Sequence, residues 1–341
     1  MSDKAQPLPN MVRTLRRALG GHDRFGEKPF AAASRAFEVA ANNVRYFYLA
    51  SALYVWIYLP IWHQMVINDP PIDLMWPLLW AQGLPILSVV DTLGVACASF
   101  AILAFWKPGV LIWRAAFAGL FLMCAAIPAS MGGVGHHHHE WFWIAFIFIF
   151  LPAGASKEAS RATKMAYTMT FAAAQGLILM FYSMAGFWKT WSGIQSLVAG
   201  EPGNFHPYAL AWTLADRMAQ TNTEPLLGPF MVDNPVLGWP SFLFVMYAQL
   251  VAIAIAFRPS LHRIWAFALI AFHTGTFVLM EIPFPSHIAV LMVLFVASPF
   301  QREDWVRPQT LYHMPIVGDL ARYFQRPRKP ALPSHPVPEA A

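Results

Sequence analysis

The chain has 341 residues, 57% hydrophobic, 15% aromatic and only 12% charged, with a mean hydropathy of +0.45. A soluble domain carries about 25% charged residues, so this composition excludes an ordinary cytosolic enzyme and a disordered chain. The net charge of +5 would suit nucleic acid, but the placement of the basic residues gives it another cause. Only Cys97 and Cys124 are present, both inside apolar runs, which excludes a disulfide framework and a Cys-rich metal site.

Residues 1–43 are polar, basic and Ala-rich, without the short apolar core and cleavage site of a secretory signal. Within them Phe30, Ala33 and Phe37 suggest an amphipathic helix on the inner membrane surface. A helical bilayer span needs about 20 mostly apolar residues. Eight runs qualify: 44–66, 84–106, 109–131, 136–153, 166–188, 239–257, 264–282 and 286–300. The fourth and eighth are short, and reach useful length only by including His136–His139 and Ser286–His287.

Lys and Arg alternate between the connections. They populate the N-terminal segment, the turns at Lys107, at Lys157–Lys164 and at Arg258–Arg263, and the C-terminal tail. The connections at 67–83, at His136–Glu140 and at 281–286 have none. All but Lys189 and Arg217 fall on one side, provided that Arg45 and Arg114 snorkel to it. By the positive-inside rule that side is cytoplasmic, as are both termini. The predicted fold is therefore all-α: a polytopic integral membrane bundle of about eight helices over 44–300, in a bacterial-type inner membrane. It is flanked by the basic segment 1–43 and by a cytoplasmic Pro-rich tail, 301–341, disordered from about 326. Its partners are the lipid bilayer and other membrane proteins, not nucleic acid. In the long connection 189–238, Leu210, Leu214 and Met218 recur at helical spacing and predict an interfacial helix on the outer surface.

Ionisable groups inside spans are expensive and default to functional candidates. Here they gather toward the outer ends: His63, Asp91, His136–Glu140, Lys189, His273, Glu281 and His287. Each has a plainer reading. Lys189 between Trp188 and Trp191 is also what an interfacial anchor looks like. Asp91 suits a paired polar residue, His273 a satisfied core imidazole, and Glu281 a helix end before Pro283. His136 and His139 share a helical face, and with His63, Glu140 or His287 make a weak metal-ligand set without any H-E-x-x-H pattern. The Gly132–Gly135 stretch is a turn, and no nucleophile elbow is present.

Three segments carry a resemblance. Tyr182–Lys189, followed by Trp191 and Gly193, resembles the Y-x-x-A-G-x-x-K … W … G segment of the vitamin K-dependent γ-carboxylase and of its bacterial relatives, the horizontally transferred transmembrane (HTTM) proteins. Phe272–His273, Phe284 and the run to Ser298–Pro299–Phe300 are similar to that family's F-H … F … L-A-S-x-P stretch. His138–Phe142 resembles its N-H-x-Y-L helix start, with His138 in the asparagine position. The match covers the transmembrane part. It implies a lysine base that deprotonates a reduced naphthoquinone, which then reacts with oxygen; the resulting alkoxide takes a proton from glutamate, and CO2 adds. Carried over residue by residue, Lys189 is the base, while His139 and His273 orient the substrate. Asp91, Glu281 and His287 are the expected tuning or quinone-contacting groups. The alternative expectation is a non-catalytic subunit or assembly factor of a larger membrane complex.

Overall fold

The computed structural model describes residues 29–71, 73–132, 138–301, 310, 313–318 and 320–321, with the backbone alone for 29–34. Among the described residues all regular structure is helical. The order is α1 (Pro29–Asn68), a 3₁₀ turn (Trp76–Ala81), α2 (Ile86–Trp106), α3 (Leu111–Ala129), α4 (His139–Ile149), α5 (Arg161–Ala199), α6 (Ala209–Thr221), α7 (Gly228–Asp233), α8 (Pro235–Leu250), α9 (Ala252–Ile255), α10 (His262–Met280) and α11 (Pro285–Leu291). A π-helical turn, Met292–Val296, continues α11.

The helices end where the sequence supplies breakers. α1 stops before Asp69–Pro70–Pro71, and α2 before Lys107–Pro108–Gly109. α5 opens on Ser160, whose hydroxyl accepts from the Thr163 N–H at 3.2 Å. It closes on Gly200 in the left-handed region (φ 71°), where the N–H groups of Gly200 and Glu201 return to the carbonyls of Leu197 and Ser196.

Five stretches are long and apolar enough to cross a membrane: Arg35–Asn68, Ile86–Trp106, Leu111–Ala129, Arg161–Ala199 and Pro259–Met280. α4 and the Pro285–Val296 stretch are apolar but shorter. The run at 239–257 is split between α8 and α9, where the Ser183 hydroxyl takes the N–H of Ile253 at 2.8 Å.

The bundle has an apolar core, and its outer surface is apolar as well, unlike that of a soluble protein. Only 22–44% of each long span is buried. Outward-facing side chains are large and apolar, for example Leu53, Trp56 and Ile57 on α1, Ile112 on α3, and Phe267 and Phe277 on α10. Inward-facing ones include Asn43, Ser51, Arg114, Gln175, Gln249, His262 and His273. Soluble monomers rarely expose apolar patches beyond a few hundred Å², whereas such a surface is at home in lipid.

Contacts sort the helix ends into two groups. At one end Lys157 pairs with Glu38 (3.9 Å), Arg114 reaches the Phe148 carbonyl (2.7 Å) and Arg263 the Val296 carbonyl (3.0 Å). The Arg258 guanidinium donates to the His313 carbonyl (2.5 Å) and the Tyr247 hydroxyl to the Pro315 carbonyl (2.6 Å), which ties part of the C-terminal segment to this basic end. At the opposite end His63 meets Asp91 (2.6 Å), and the Met75 N–H donates to Ser130 (2.9 Å).

Three expectations change. The amphipathic segment and the first span form one unbroken 40-residue helix, because nothing between Phe37 and Val44 breaks it. Phe37 is buried and packs edge-on against Tyr167 of α5 at 5.1 Å, so this turn joins the bundle core. The side chains of Phe30 and Ala33, and the tail from 326, lie outside the described residues. Arg114 does not snorkel: its side chain is fully buried between helices.

Candidate functional site

The site is built where α5 and α8 approach most closely. At Gly186 an added Cβ would lie 2.2 Å from the Leu250 nitrogen and 2.6 Å from the Gln249 carbonyl carbon, so only glycine permits this backbone contact. One turn further along α5, the Lys189 Nζ donates to Gln249 Oε1 at 2.8 Å and sits 6.0 Å from the Phe272 ring centroid of α10. Gln249 is buried, and among the described residues no carboxylate pairs with Lys189. The loop after α5 folds back over this end: Asn204 donates to the Lys189 carbonyl (2.8 Å), and the Phe205 ring fills the space over Gly193.

Two turns before Lys189, on the same helical side, Tyr182 begins a buried polar row. Its hydroxyl meets His273 Nε2 at 2.6 Å. The His273 ring lies against His287 and Phe284, each at 4.9 Å between centroids. His287 Nε2 faces Glu140 Oε1 at 3.4 Å, and its Nδ1 faces the Ser286 hydroxyl at 3.3 Å. Helices α4, α5, α10 and α11 each supply part of the row. His273 Nδ1 and Glu140 Oε2 are buried without a hydrogen-bond partner among the described residues. With the Tyr182 hydroxyl donating to Nε2, Nδ1 carries the proton and has no acceptor. Such a row can bind an oxygen-bearing group between aromatic rings and relay a proton.

Depth follows from helix geometry. From Lys164 to Lys189 the axis rises about 38 Å at 1.5 Å per residue, against about 30 Å of hydrocarbon. With Lys164 at one boundary, an untilted α5 carries Lys189 about 8 Å past the other, and Tyr182, about 10 Å back along the axis, lies just inside it. Trp188 and Trp191 are exposed beside it, as interfacial rings are.

The structure thus brings His273 and His287 into one polar row, with Lys189 two turns further along α5, over the ring of Phe272. His139 is not part of that row. It is exposed, and its neighbours His138 and Glu140 are the buried ones. His138 Nδ1 meets the Tyr54 hydroxyl at 2.6 Å in a separate aromatic box with Tyr58, Trp62 and Phe121. Asp91 and His63 pair with each other on an exposed edge. Glu281 is an exposed left-handed residue (φ 54°) at the end of α10. His136 lies outside the described residues, among which no three His, Cys, Asp or Glu side chains gather to hold a metal. A cavity of about 460 Å³ near Met218, Glu224 and Asp233 lies on the α6–α7 connection, among none of these groups.

Sequence reasoning passed over Gln249 and the role of Tyr182. Gln249 was visible as a lone amide within an apolar run, and Tyr182 as the residue two turns before Lys189. No family model, curated protein or solved structure matches the chain.

Proposed function

We propose that this protein is an eight-span membrane enzyme with both termini cytoplasmic, in a bacterial-type inner membrane, acting on a quinone-like lipophilic molecule. The observation that carries the reading is the buried row Tyr182–His273–His287–Glu140, with Lys189 two turns along α5 held by Gln249 and without a counter-ion among the described residues, in a bundle whose outer surface is apolar. Lipid-facing helices give a lipophilic substrate its route of entry. Phe272 and Phe284 provide aromatic walls, and the partnerless His273 Nδ1 provides a donor for a quinone oxygen, so the residues present fit such a group. Lys189 in its neutral form takes the substrate's hydroxyl proton onto Nζ while Gln249 holds the amine in place. Tyr182 and His273 fix the substrate oxygen, and His287 with Glu140 fixes the His273 ring. The resemblance to the γ-carboxylase family supports Lys189 as base and the reduced quinone as the oxygen-reactive group.

The test is oxygen consumption with a reduced naphthoquinone by the protein in lipid nanodiscs. Wild type is expected to exceed the protein-free rate, and Lys189→Ala to fall to it while still folding, with the helical content of wild type. Equal rates for the two proteins would remove the base role.

A second reading, a subunit of a larger membrane complex, draws on the far end of α5. Leu197 and Val198 are 70% and 84% exposed there, about 12 Å or more beyond Lys189 and so past the hydrocarbon. A stoichiometric partner surviving mild detergent would favour it.

A further inference from the structure

Arg114 sits in the first turn of α3 and is fully buried, yet only one of its nitrogens is satisfied. Nη1 donates to the Phe148 carbonyl at 2.7 Å, in the last turn of α4, where that carbonyl also accepts from the Leu151 N–H at 3.2 Å. Nε and Nη2 have no partner among the described residues. These two nitrogens form the side-on edge of the guanidinium, the fork that grips two oxygens of a planar oxyanion in parallel hydrogen bonds. Among the described residues no carboxylate lies against Arg114.

Two other buried groups nearby are in the same condition. The hydroxyls of Tyr48 on α1 and Tyr167 on α5 are both buried and both without a partner among the described residues. Both are placed around Phe148, whose carbonyl Arg114 holds: the Tyr48 ring lies 6.5 Å from the Phe148 ring, and Phe171, one turn after Tyr167 on α5, stacks on that ring at 6.0 Å. Isolated buried polar groups are rare in folded proteins, and several of them facing a common neighbourhood call for an explanation. An unneutralised guanidinium inside a membrane bundle is costlier still. The surroundings are electropositive: Lys164 is buried next to Phe37, which packs on Tyr167, and α3 begins here without a side-chain cap.

We propose that Arg114, Tyr48 and Tyr167 form a binding site for one small planar oxyanion of the carboxylate type, buried at the basic end of the bundle. The guanidinium edge holds two oxygens, and the phenol hydroxyls donate to them. Full burial of all three side chains admits an ion of a few atoms and leaves no opening for a phospholipid headgroup. This site is remote from Lys189, at the other end of α5, and does not depend on the function proposed above.

The experiment titrates sodium formate into the purified full-length protein in detergent, with chloride keeping ionic strength constant, and follows the thermal unfolding midpoint. The wild-type midpoint is expected to rise saturably with formate. Tyr48→Phe and Tyr167→Phe remove only the hydroxyls, so both should fold, and each should need roughly tenfold more formate for the same rise, the effect of losing one hydrogen bond to a charged group. Arg114→Lys keeps the charge but not the fork and should lose the response. If formate acts no differently from chloride, or both Phe variants respond as wild type does, the groups are met by water and the proposal is overturned. One tightly held phospholipid per chain in place of a formate response would overturn it as well.

Discussion

Replacing Gly186 by alanine probes the contact on which the candidate site rests. The added Cβ would fall 2.2 Å from the Leu250 nitrogen and 2.6 Å from both the Leu250 Cα and the Gln249 carbonyl carbon. Ordinary contact distances are about 3.5–4.0 Å, and backbone atoms cannot rotate aside, so α5 and α8 must part by about 1 Å or more. Overpacking of this kind costs about 1–3 kcal/mol. The 2.8 Å bond from Lys189 to Gln249, one turn away, should stretch past hydrogen-bonding range. The controls are Gly176→Ala on α5 and Gly275→Ala on α10, where an added Cβ meets nothing within 4 Å. In a helix interior that exchange should stabilise by about 0.5–1 kcal/mol. Thermal unfolding of the three variants in one detergent gives the comparison. Gly186→Ala should melt below wild type and the two controls at or above it; a Gly186→Ala midpoint matching the controls would refute the close packing of α5 on α8.

Other consequences follow from the polar row and its surroundings. Tyr182→Phe leaves His273 with neither ring nitrogen partnered and should destabilise by about 1–3 kcal/mol; a change under about 0.5 kcal/mol, of the size typical for surface substitutions, would show that the 2.6 Å contact contributes nothing. Glu140→Gln and His287→Ala should be coupled in a double-mutant cycle by about 1–3 kcal/mol, and strict additivity would mean that the two groups do not interact. Asp91→Asn, by contrast, breaks a pair with His63 that is exposed, and should change the unfolding free energy by less than about 1 kcal/mol. A larger loss would place that pair inside the structure's cooperative core.

Much of the architecture was legible because the signals that encode it are local. Apolar runs bounded by Pro70, Pro108, Pro152 and Gly200 mark helices whatever they pack against. The alternation of Lys and Arg along the chain matches the two groups of helix ends. Meeting points were not legible, because they depend on helix phase and on long-range packing. His138, His139 and Glu140 are consecutive, yet the helix starts at His139, and its buried side runs through Glu140, Trp141, Ile144, Ala145 and Phe148. His139 falls just off that side, and His138 lies before the helix, free to turn into the Tyr54 box. The pairings of Tyr182 with His273 and of His287 with Glu140 join residues far apart in sequence, and nothing in the spacing announces them. Arg114 was misjudged for a related reason. Near the end of an apolar run a long basic side chain usually reaches water, but here the Phe148 carbonyl of a neighbouring helix captures it.

The most direct test of the central claim is mass spectrometry of the protein purified gently from its native membrane, scoring co-purified proteins and lipophilic small molecules together, for wild type and for Tyr182→Phe. The account predicts that the wild-type chain carries a quinone-class molecule without a fixed-ratio protein partner, and that the variant carries less of it. A fixed-ratio partner with no quinone in either sample would contradict it and favour the reading of a subunit of a larger membrane complex.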